Sequence, residues 1–211
     1  MAAKKDGVIV ILSSPSGAGK TTLVKKISSR NNFKISISHT TRRPRLNERN
    51  GKDYYFINIK EFKSLIKQGK FLEHAKVFKN YYGSLKKTVV EKLKKGENVI
   101  FDIDWQGTRQ IIKKKLKYKI ITIFILPPTK KELFNRLLKR DQKDKKIARE
   151  RMKQFRADVM HWKEYDFTVI NDKVELCYKE IISFIKKKKY NMRSSNFNKK
   201  NIKNHINALI N

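Results

Sequence analysis

The chain has 211 residues, of which 52 are Lys or Arg and 19 are Asp or Glu, so its formal net charge is +33. It contains a single cysteine, Cys177, which excludes a scaffold held together by disulfide bonds. No run of about 18 apolar residues is present, and the apolar run 8–12 is too short for a signal peptide, so we expect a cytoplasmic protein that does not cross a membrane. The apolar fraction of 39% is sufficient for one sizeable core, as in a single domain with an inserted lobe.

The positive charge allows two interpretations. A strongly basic protein attracts nucleic acid, but 40 of the 52 basic residues are Lys, and Ile (24) and Asn (16) are also abundant. These three residue types share A/T-rich codons, so genomic base composition alone can produce this bias. We favour base composition over specific nucleic-acid binding. Non-specific attraction to polyanions, including attraction through the basic C-terminal tail, follows in either case.

Apolar runs and helix-spaced apolar residues alternate along most of the chain. Runs of β-branched and other apolar residues predict strands at 7–13, 71–78, 99–103, 120–126 and 167–170. Apolar residues at helical spacing predict helices at 20–30, 61–70, 105–116, 130–140 and 174–189, with two more that end at Gly96 and near residue 162. Strands that alternate with helices indicate an α/β fold, in which helices cover both faces of a parallel sheet.

Two segments depart from this alternation of strands and helices. The segment 36–90 has short strands and a polar loop, so we expect an inserted lobe between two parts of a core, 1–35 and 91–189. Residues 190–211 contain no Asp or Glu and are rich in Asn, which predicts a basic, mostly disordered tail. The alternative is a final helix that packs on the core or on a second subunit through Ile202, Ile206, Leu209 and Ile210.

A glycine-rich loop follows the first predicted strand. Its sequence, S-P-S-G-A-G-K-T, matches the phosphate-binding pattern G-x-x-x-x-G-K-[ST] except at Ser14, where the pattern has glycine. Glycines let backbone N–H groups converge on phosphate oxygens, and the following helix directs its positive end towards them. Lys20 would then reach the β- and γ-phosphates, and the Thr21 hydroxyl would bind Mg²⁺. The predicted ATP-binding residues of this segment are Ser14, Pro15, Ser16, Gly17, Ala18, Gly19, Lys20, Thr21 and Thr22.

Two carboxylates stand at the end of the strand predicted at 99–103. Asp102 and Asp104 lie at the carboxyl edge of the predicted sheet, where ligands bind in open α/β folds. We expect Asp102 to act on Mg²⁺ or on its waters, together with Thr21. The competing interpretation is an aspartate that caps the next helix. The two roles are compatible, because Asp104 could cap the helix while Asp102 binds the metal.

Several motifs, all in the same order, carry a specific resemblance to a known family. Their sequences are S-I-S-H-T-T-R-R-P-R at 36–45, G-K-D-Y-Y-F at 51–56, E-H-A at 73–75, Y-Y-G-S at 81–84 and D-I-D-W-Q-G at 102–107. Over about residues 7–185, the chain resembles the guanylate kinase family. The resemblance implies a P-loop NTPase-type core, a mixed α/β lobe at 36–90 that binds GMP, and a helical lid at 136–152.

The resemblance also implies which residues hold GMP. Its phosphate would be bound by two guanidinium and two phenol groups, those of Arg42, Arg45, Tyr54 and Tyr82. Its guanine would be read by Ser38, Glu73, Ser84 and Asp104. Guanidinium groups suit phosphate, because they form paired, charge-assisted hydrogen bonds. A carboxylate suits guanine, which presents adjacent N1–H and N2–H₂ donors, whereas adenine presents an acceptor at N1.

In the family, lid arginines close over the phosphoryl group as it transfers, because cations stabilise the negative charge on its oxygens. The matching residues are Arg136, Arg140 and Arg151, with Arg149 as an alternative to Arg151. The lid segment 141–146 is net cationic, which departs from the Gly-rich, acidic lid usual in the family. Lid closure would also exclude water and so prevent hydrolysis of ATP.

The leading interpretation is a nucleoside monophosphate kinase that transfers the γ-phosphoryl group of ATP to GMP, with Mg²⁺ as cofactor. The implied catalytic residues are Lys20, Arg42, Arg140 and Arg151. Arg136 and Asn171 are implied to bind ATP, and Asn171 is implied to contact its adenine. One alternative is a guanylate-kinase-like interaction module without catalysis, which would not need these cations. Another is a nucleic-acid-binding ATPase, but the sequence lacks an aromatic and basic platform for single strands. We expect a monomer or a homodimer.

Overall fold

The structure is a computed structural model that describes residues 6–140, 144–189 and 199–210. Its strands are β1 (Ile9–Ser13), β2 (Lys34–Ile35), β3 (His39–Thr40), β4 (Tyr55–Phe56), β5 (Phe71–Val77), β6 (Asn80–Leu85), β7 (Val99–Asp102), β8 (Ile120–Leu126) and β9 (Phe167–Ile170). Its α-helices are α1 (Lys20–Asn31), α2 (Ile59–Lys67), α3 (Lys86–Lys94), α4 (Trp105–Lys113), α5 (Lys130–Arg140), α6 (Lys145–Val159), α7 (Val174–Lys189) and α8 (Lys199–Ile210). A 3₁₀ helix covers Met160–Glu164.

The larger sheet is parallel and has the strand order β2-β7-β1-β8-β9. Every residue of its central strand, β1, is buried, and so is β8 from Ile121 to Leu126. Continuous apolar runs of this kind are typical of parallel strands, because both of their faces are covered. All carboxyl ends lie along one edge of the sheet, where β1 leads into the phosphate loop and β7 ends at Asp102.

Helices cover both faces of this sheet. On one face, α1 and α7 pack Leu23 and Cys177 against β1, β7 and β8. On the opposite face, α3 and α4 pack Leu93 and Ile111 against β1 and β7. The predicted α/β fold with a parallel sheet is therefore confirmed. Cys177 is buried, and burial raises the pKa of its thiol to about 12.

The smaller sheet is built from the segment between α1 and α3, with the strand order β4-β3-β6-β5. Strands β3 and β4 run parallel, whereas β6 is antiparallel to both β3 and β5. The β5–β6 hairpin pairs Glu73 with Ser84, and its register shifts between Phe71 and Glu73. Phe62 of α2 stacks on Phe71 with ring centroids 4.6 Å apart, which fixes the helix against the sheet. Two residues predicted to read guanine are therefore adjacent across one hairpin.

The last helix corrects the expectation of a disordered tail at 190–211. Residues 199–210 form α8, and its Ile202, Ile206 and Leu209 are buried in an apolar cluster with α5, α6 and the 3₁₀ helix. This spacing places the three side chains on one helix face, so burial of the apolar face outweighs the polar, Asn-rich composition. His205 Nε2 also lies 2.9 Å from the Pro127 carbonyl oxygen. Residues 190–198 and 211 lie outside the described residues.

The expected lid falls on α5 and α6, which lie at the carboxyl edge of the larger sheet. Lid residues 141–143 lie outside the described part of the chain. Asp144 caps α6 by accepting hydrogen bonds from the N–H groups of Lys146 and Ile147, at 2.8 and 3.0 Å. Among the helices that can be described, none combines the length and the apolar composition needed to cross a bilayer.

Candidate active site

The phosphate loop lies between the end of β1 and the first turn of α1. Gly17 and Gly19 have φ angles of 90° and 95°, in the region that favours glycine. A Cβ atom at Gly17 would lie 2.9 Å from the Leu137 side chain, so the loop packs directly against α5. Ser14 is not among the residues with positive φ in the described chain, and this position therefore accepts a serine in place of the motif glycine. Its hydroxyl donates to the Pro15 carbonyl at 2.8 Å.

The first two residues of α1 both contact Asp102 at the end of β7. Lys20 Nζ lies 2.8 Å from Asp102 Oδ1 and donates to the Ile103 carbonyl at 2.8 Å. The Thr21 hydroxyl donates to Asp102 Oδ2 at 2.6 Å. Hydroxyl and carboxylate oxygens suit Mg²⁺, which takes one or two protein ligands and completes its shell with phosphates and water. Among the described residues, no cluster of three or more His, Cys, Asp or Glu side chains could hold a metal ion.

Two lid arginines reach the phosphate loop from different helices. Arg140 Nη2 and Arg151 Nη1 both donate to the Ser16 hydroxyl, at 2.8 and 3.1 Å. Arg149, the alternative to Arg151, is exposed. Because Arg140 and Arg151 converge on a loop of the phosphate-binding type, they can stabilise negative charge that develops on a phosphoryl group there.

Arg136 and Asn171 lie beside the phosphate loop near Ala18 and Gly19. Arg136 Nη1 donates to the Asn171 carbonyl at 3.2 Å, and Asn171 Nδ2 donates to the Ala18 carbonyl at 2.8 Å. A Cβ atom at Gly19 would clash with the Asn171 amide. Asn171 is 1% exposed, and its Oδ1 atom has no hydrogen-bond partner within the described residues. A buried amide oxygen of this kind can accept a hydrogen bond from an amino group of a bound base.

The residues predicted to hold the GMP phosphate form one group in the smaller sheet and its loop. Arg42 Cζ lies 5.5 Å from the centroid of the Tyr54 ring, and the Tyr54 and Tyr82 rings are 6.0 Å apart. Burial raises the pKa of Tyr54, so its phenol stays protonated and can donate a hydrogen bond. Arg45 and Arg42 both donate to one carboxylate, that of Glu48.

Glu48 is a residue of this group that sequence reasoning missed. Both of its carboxylate oxygens accept hydrogen bonds from Arg42 Nη2, each at 2.8 Å. The Arg45 backbone N–H donates to Glu48 Oε2 at 2.8 Å, and Arg45 Nη1 donates to Oε1 at 3.2 Å. The signal in the sequence was weak but present, since Glu48 is the only acidic residue in the otherwise basic stretch 42–52.

Glu73 is a buried carboxyl group on β5, and only 3% of the residue is exposed. Burial raises the pKa of Glu73 to about 7 against an opposing hydrogen bond from Ser84, and the charge of Asp104 adds to the increase. Its Oε1 atom has no hydrogen-bond partner among the described residues. A buried acceptor without a partner is unfavourable by about 1–3 kcal/mol, so this atom is suited to a ligand that brings N–H donors.

The remaining residues predicted to read guanine surround Glu73. Ser38 and Ser84 are buried, with their hydroxyl oxygens 3.2 Å apart. Asp104 caps α4 by accepting the Gly107 N–H at 3.0 Å, so the capping role weighed from the sequence is confirmed. Gly107 has a role that its motif did not reveal, because a Cβ atom there would lie 2.6 Å from Glu73 Oε2. Glycine at this position lets α4 pack directly on the Glu73 carboxyl group.

The residues around the phosphate loop approach those of the smaller sheet at two places. Arg151 of the lid lies with its Cζ 4.9 Å from the ring centroid of Phe78, in the turn between β5 and β6. Lys20 of the phosphate loop is close enough to Glu73 for its charge to lower the pKa of that carboxyl group. For Thr22, the structure shows only that the residue is exposed at the start of α1.

Comparison with known proteins identifies the family. The sequence model of the family described as guanylate kinase matches residues 6–188. A guanylate kinase from Blochmanniella floridana is 43% identical over 206 residues, which is 96% of this chain and 97% of the relative. One from Rickettsia prowazekii (strain Madrid E) is 48% identical over 183 residues, which is 86% of this chain and 92% of the relative. The crystal structure of guanylate kinase from Anaplasma phagocytophilum has a TM-score of 0.69, with 33% identity and 87% coverage of each chain. The protein described here therefore belongs to the guanylate kinase family.

Proposed function

We propose that the protein transfers the γ-phosphoryl group of ATP to GMP and releases ADP and GDP. The observation that carries the choice of acceptor is the buried Glu73 carboxyl group, whose Oε1 atom has no hydrogen-bond partner among the described residues. Guanine can offer this group two adjacent N–H donors. Adenine would place an acceptor nitrogen against it and leave both atoms unpaired, which is strongly unfavourable in a buried site.

The donor nucleotide would bind at the phosphate loop. Backbone N–H groups from Ser16 to Thr21 would hold the β- and γ-phosphates at the positive end of α1. Lys20 would follow the γ-phosphoryl group, exchanging its present contact with Asp102 for a phosphate oxygen. Asn171 would accept a hydrogen bond from the adenine amino group through its buried Oδ1 atom. Arg136, which donates to the Asn171 carbonyl, would hold this asparagine in place.

Mg²⁺ would bind at Thr21 and Asp102. The three oxygen atoms of these two residues already lie together, since the Thr21 hydroxyl donates to Asp102 Oδ2 at 2.6 Å. When bound, Mg²⁺ neutralises charge on the β- and γ-phosphate oxygens. Asp102 also accepts from Lys20, so one carboxylate orients both the metal-binding hydroxyl and the catalytic ammonium group.

The acceptor would be held at both of its ends. Arg42, Arg45, Tyr54 and Tyr82 would bind the GMP phosphate, and Ser38, Glu73, Ser84 and Asp104 would bind guanine. Phosphoryl transfer depends on alignment of the attacking and leaving oxygens, and the protein supplies position and charge. Arg140 and Arg151, which meet at Ser16, would stabilise the charge that spreads over the moving phosphoryl group.

The proposal predicts a sharp preference among acceptors. In a coupled assay with Mg²⁺ and ATP, GMP should be phosphorylated far faster than AMP, CMP or UMP. Lys20→Ala should lower turnover by roughly ten- to a hundred-fold, the value of a charge-assisted contact of about 1.5–3 kcal/mol, and should change GMP affinity little. Turnover of AMP at a rate comparable with that of GMP would contradict the proposal. GMP binding without turnover would point to the inactive module, for which the structure and the relatives offer no support.

The division of the chain into functional units is also a proposal. We propose that 1–35 and 91–189 form the nucleotide-binding core and that 36–90 forms the GMP-binding lobe. The strands of the smaller sheet, all of which lie between His39 and Leu85, support this division. The cytoplasmic location and the expectation of a monomer or a homodimer stay predictions from the sequence.

A further inference from the structure

Glu48 is a charged group of the acceptor site that has no role in the reaction described above. It lies in the turn after Arg42 and Arg45, where the Glu48 N–H donates to the Arg45 carbonyl at 3.0 Å. Its side chain is 16% exposed. Burial alone would raise the pKa of Glu48, but hydrogen bonds from the Arg45 N–H and from Arg42 lower it overall. Glu48 is therefore a carboxylate at neutral pH, set between two guanidinium groups.

The carboxylate is held by one terminal nitrogen of Arg42. Oε1 and Oε2 are each 2.8 Å from Arg42 Nη2, so both oxygens accept from this nitrogen, while Nη1 donates to the Arg43 carbonyl at 2.7 Å. A guanidinium has two edges with paired donors, Nε with Nη2 and Nη1 with Nη2. Nη2 belongs to both edges. A phosphate that binds either paired edge must therefore compete with Glu48 for the donors of Nη2.

We infer that Glu48 competes with the acceptor phosphate for Arg42, and that GMP binds by exchanging this carboxylate for its own phosphate. The inference rests on the proposed function, because it assumes that Arg42 binds the GMP phosphate. Charge drives the exchange, since a phosphate monoester carries about −1.5 to −2 at pH 7 whereas Glu48 carries a single negative charge. The paired edge of Arg42 therefore favours the phosphate over the carboxylate.

The same competition assists the release of product. After transfer, the phosphate beside Arg42 is the inner phosphate of GDP, which is bonded on both sides and carries one negative charge. The inner phosphate of GDP therefore competes with the Glu48 carboxylate for Arg42 less strongly than the GMP phosphate does. Glu48 therefore returns to Arg42 more readily when GDP is bound than when GMP is bound. The residue thus sets the difference in affinity between the substrate and the product of the acceptor site.

The test compares binding of GMP, GDP and guanosine to the full-length protein by calorimetry. Guanosine has no phosphate, so the ratio of the guanosine Kd to the GMP Kd reports the phosphate contacts alone. In Glu48→Gln, the amide keeps one oxygen for the Arg45 N–H, but its NH₂ group cannot accept from Arg42 Nη2. This ratio should rise by about three- to ten-fold, the worth of one or two hydrogen bonds. The ratio of the guanosine Kd to the GDP Kd should rise by a larger factor.

Two further variants make the result decisive. Glu48→Asp keeps the charge but shortens the side chain, so the two Kd ratios should rise less in this variant than in Glu48→Gln. Either variant suffices if the other fails to fold. Glu164→Gln removes a comparable pair, in which Glu164 accepts from Arg109 at 2.7 and 2.6 Å. Neither residue is among the predicted site residues, so the ratios of this variant should equal those of the wild type. Ratios that fall or stay unchanged in the Glu48 variants would overturn the inference, because Glu48 would then support the arginines. A wild-type protein that binds GMP no more tightly than guanosine would instead contradict the proposed function.

Discussion

At the scale of single residues, Glu73 shows how the proposed acceptor site opposes stability. Its carboxyl group is buried, and burial raises its pKa from 4.5 to about 7. The folded protein therefore binds this proton more tightly than the unfolded chain does. The stability associated with the protonated form is complete below pH 4.5 and is lost as the pH rises towards 7. In the proposed function, recognition of guanine needs the ionised form, so this function and stability make opposite demands on one side chain.

Glu73→Gln should separate these two demands. The amide has no ionisable proton, so the melting temperature of the variant minus that of the wild type should increase as the pH rises from 4.5 to about 7. Thermal unfolding measured across this pH range tests the prediction. Each kcal/mol of unfolding free energy changes the melting temperature by roughly 2–4 °C. Guanine selectivity should also fall, because an amide cannot accept both donors. Glu91→Gln is the control, because the Glu91 side chain is 56% exposed. A difference in melting temperature between Glu73→Gln and the wild type that stays constant with pH would contradict the prediction.

At the scale of secondary-structure elements, α8 changes the view of the C-terminus. Its buried face extends the apolar cluster that includes α5 and α6, the helices that carry the lid arginines. The family sequence model ends at residue 188, so α8 lies beyond the part of the chain that defines the family. Arg140 and Arg151, the arginines proposed to act as a lid, therefore project from helices whose packing depends in part on this additional helix.

Removing the buried face of α8 should destabilise the protein. Ile206 is 3% exposed, and Ile206→Ala should cost about 2–5 kcal/mol of unfolding free energy, which corresponds to a lower melting temperature by roughly 5–15 °C. Thermal unfolding followed by circular dichroism measures the change. Asn204→Ala is the matched control, because this residue is exposed on the same helix. Equal melting temperatures for the two variants would mean that α8 does not pack on the core in solution.

At the scale of the whole molecule, the dominant feature is the net charge of +33, with a sequence pI near 10.3. Such a charge creates a field that attracts anions of any kind, including nucleotides and polyanions, and the effect weakens with added salt. On α8, Lys199, Lys200 and Lys203 are exposed. We propose that polyanions bind non-specifically and that this basic face of α8 is one of the contact regions.

Binding of a labelled single-stranded RNA, measured by fluorescence anisotropy at increasing salt, tests this proposal. Replacing Lys199, Lys200 and Lys203 with Gln should reduce the slope of log K against log salt by up to about two units, since each phosphate contact on a single strand contributes about 0.7. The control replaces Lys113, Lys114 and Lys115, which are also exposed. An equal reduction in the control would show that the charge acts over the whole surface, with no preferred contribution from α8.

The sequence by itself determined the features that consecutive residues encode. The apolar runs of β1, β7 and β8 predicted the parallel sheet, because a strand buried on both faces needs an unbroken apolar segment. The glycines of the phosphate loop and the ordered motifs from Ser36 to Gly107 predicted the family. These signals are local, and each can be read without knowledge of which distant segments will meet.

Only the tertiary structure decided which side chains contact one another across the sequence. Gly107 lies under the Glu73 carboxyl group because α4 packs against β5, and no local pattern records that contact. Glu48 binds Arg42 because a turn in the loop returns the chain on itself. The composition of the last segment predicted disorder, and the spacing of its apolar residues left a packed helix as the alternative. Burial of that apolar face against α5 and α6 decided for the helix. In all three cases the deciding free energy comes from burial or pairing between separate segments, which no single segment contains.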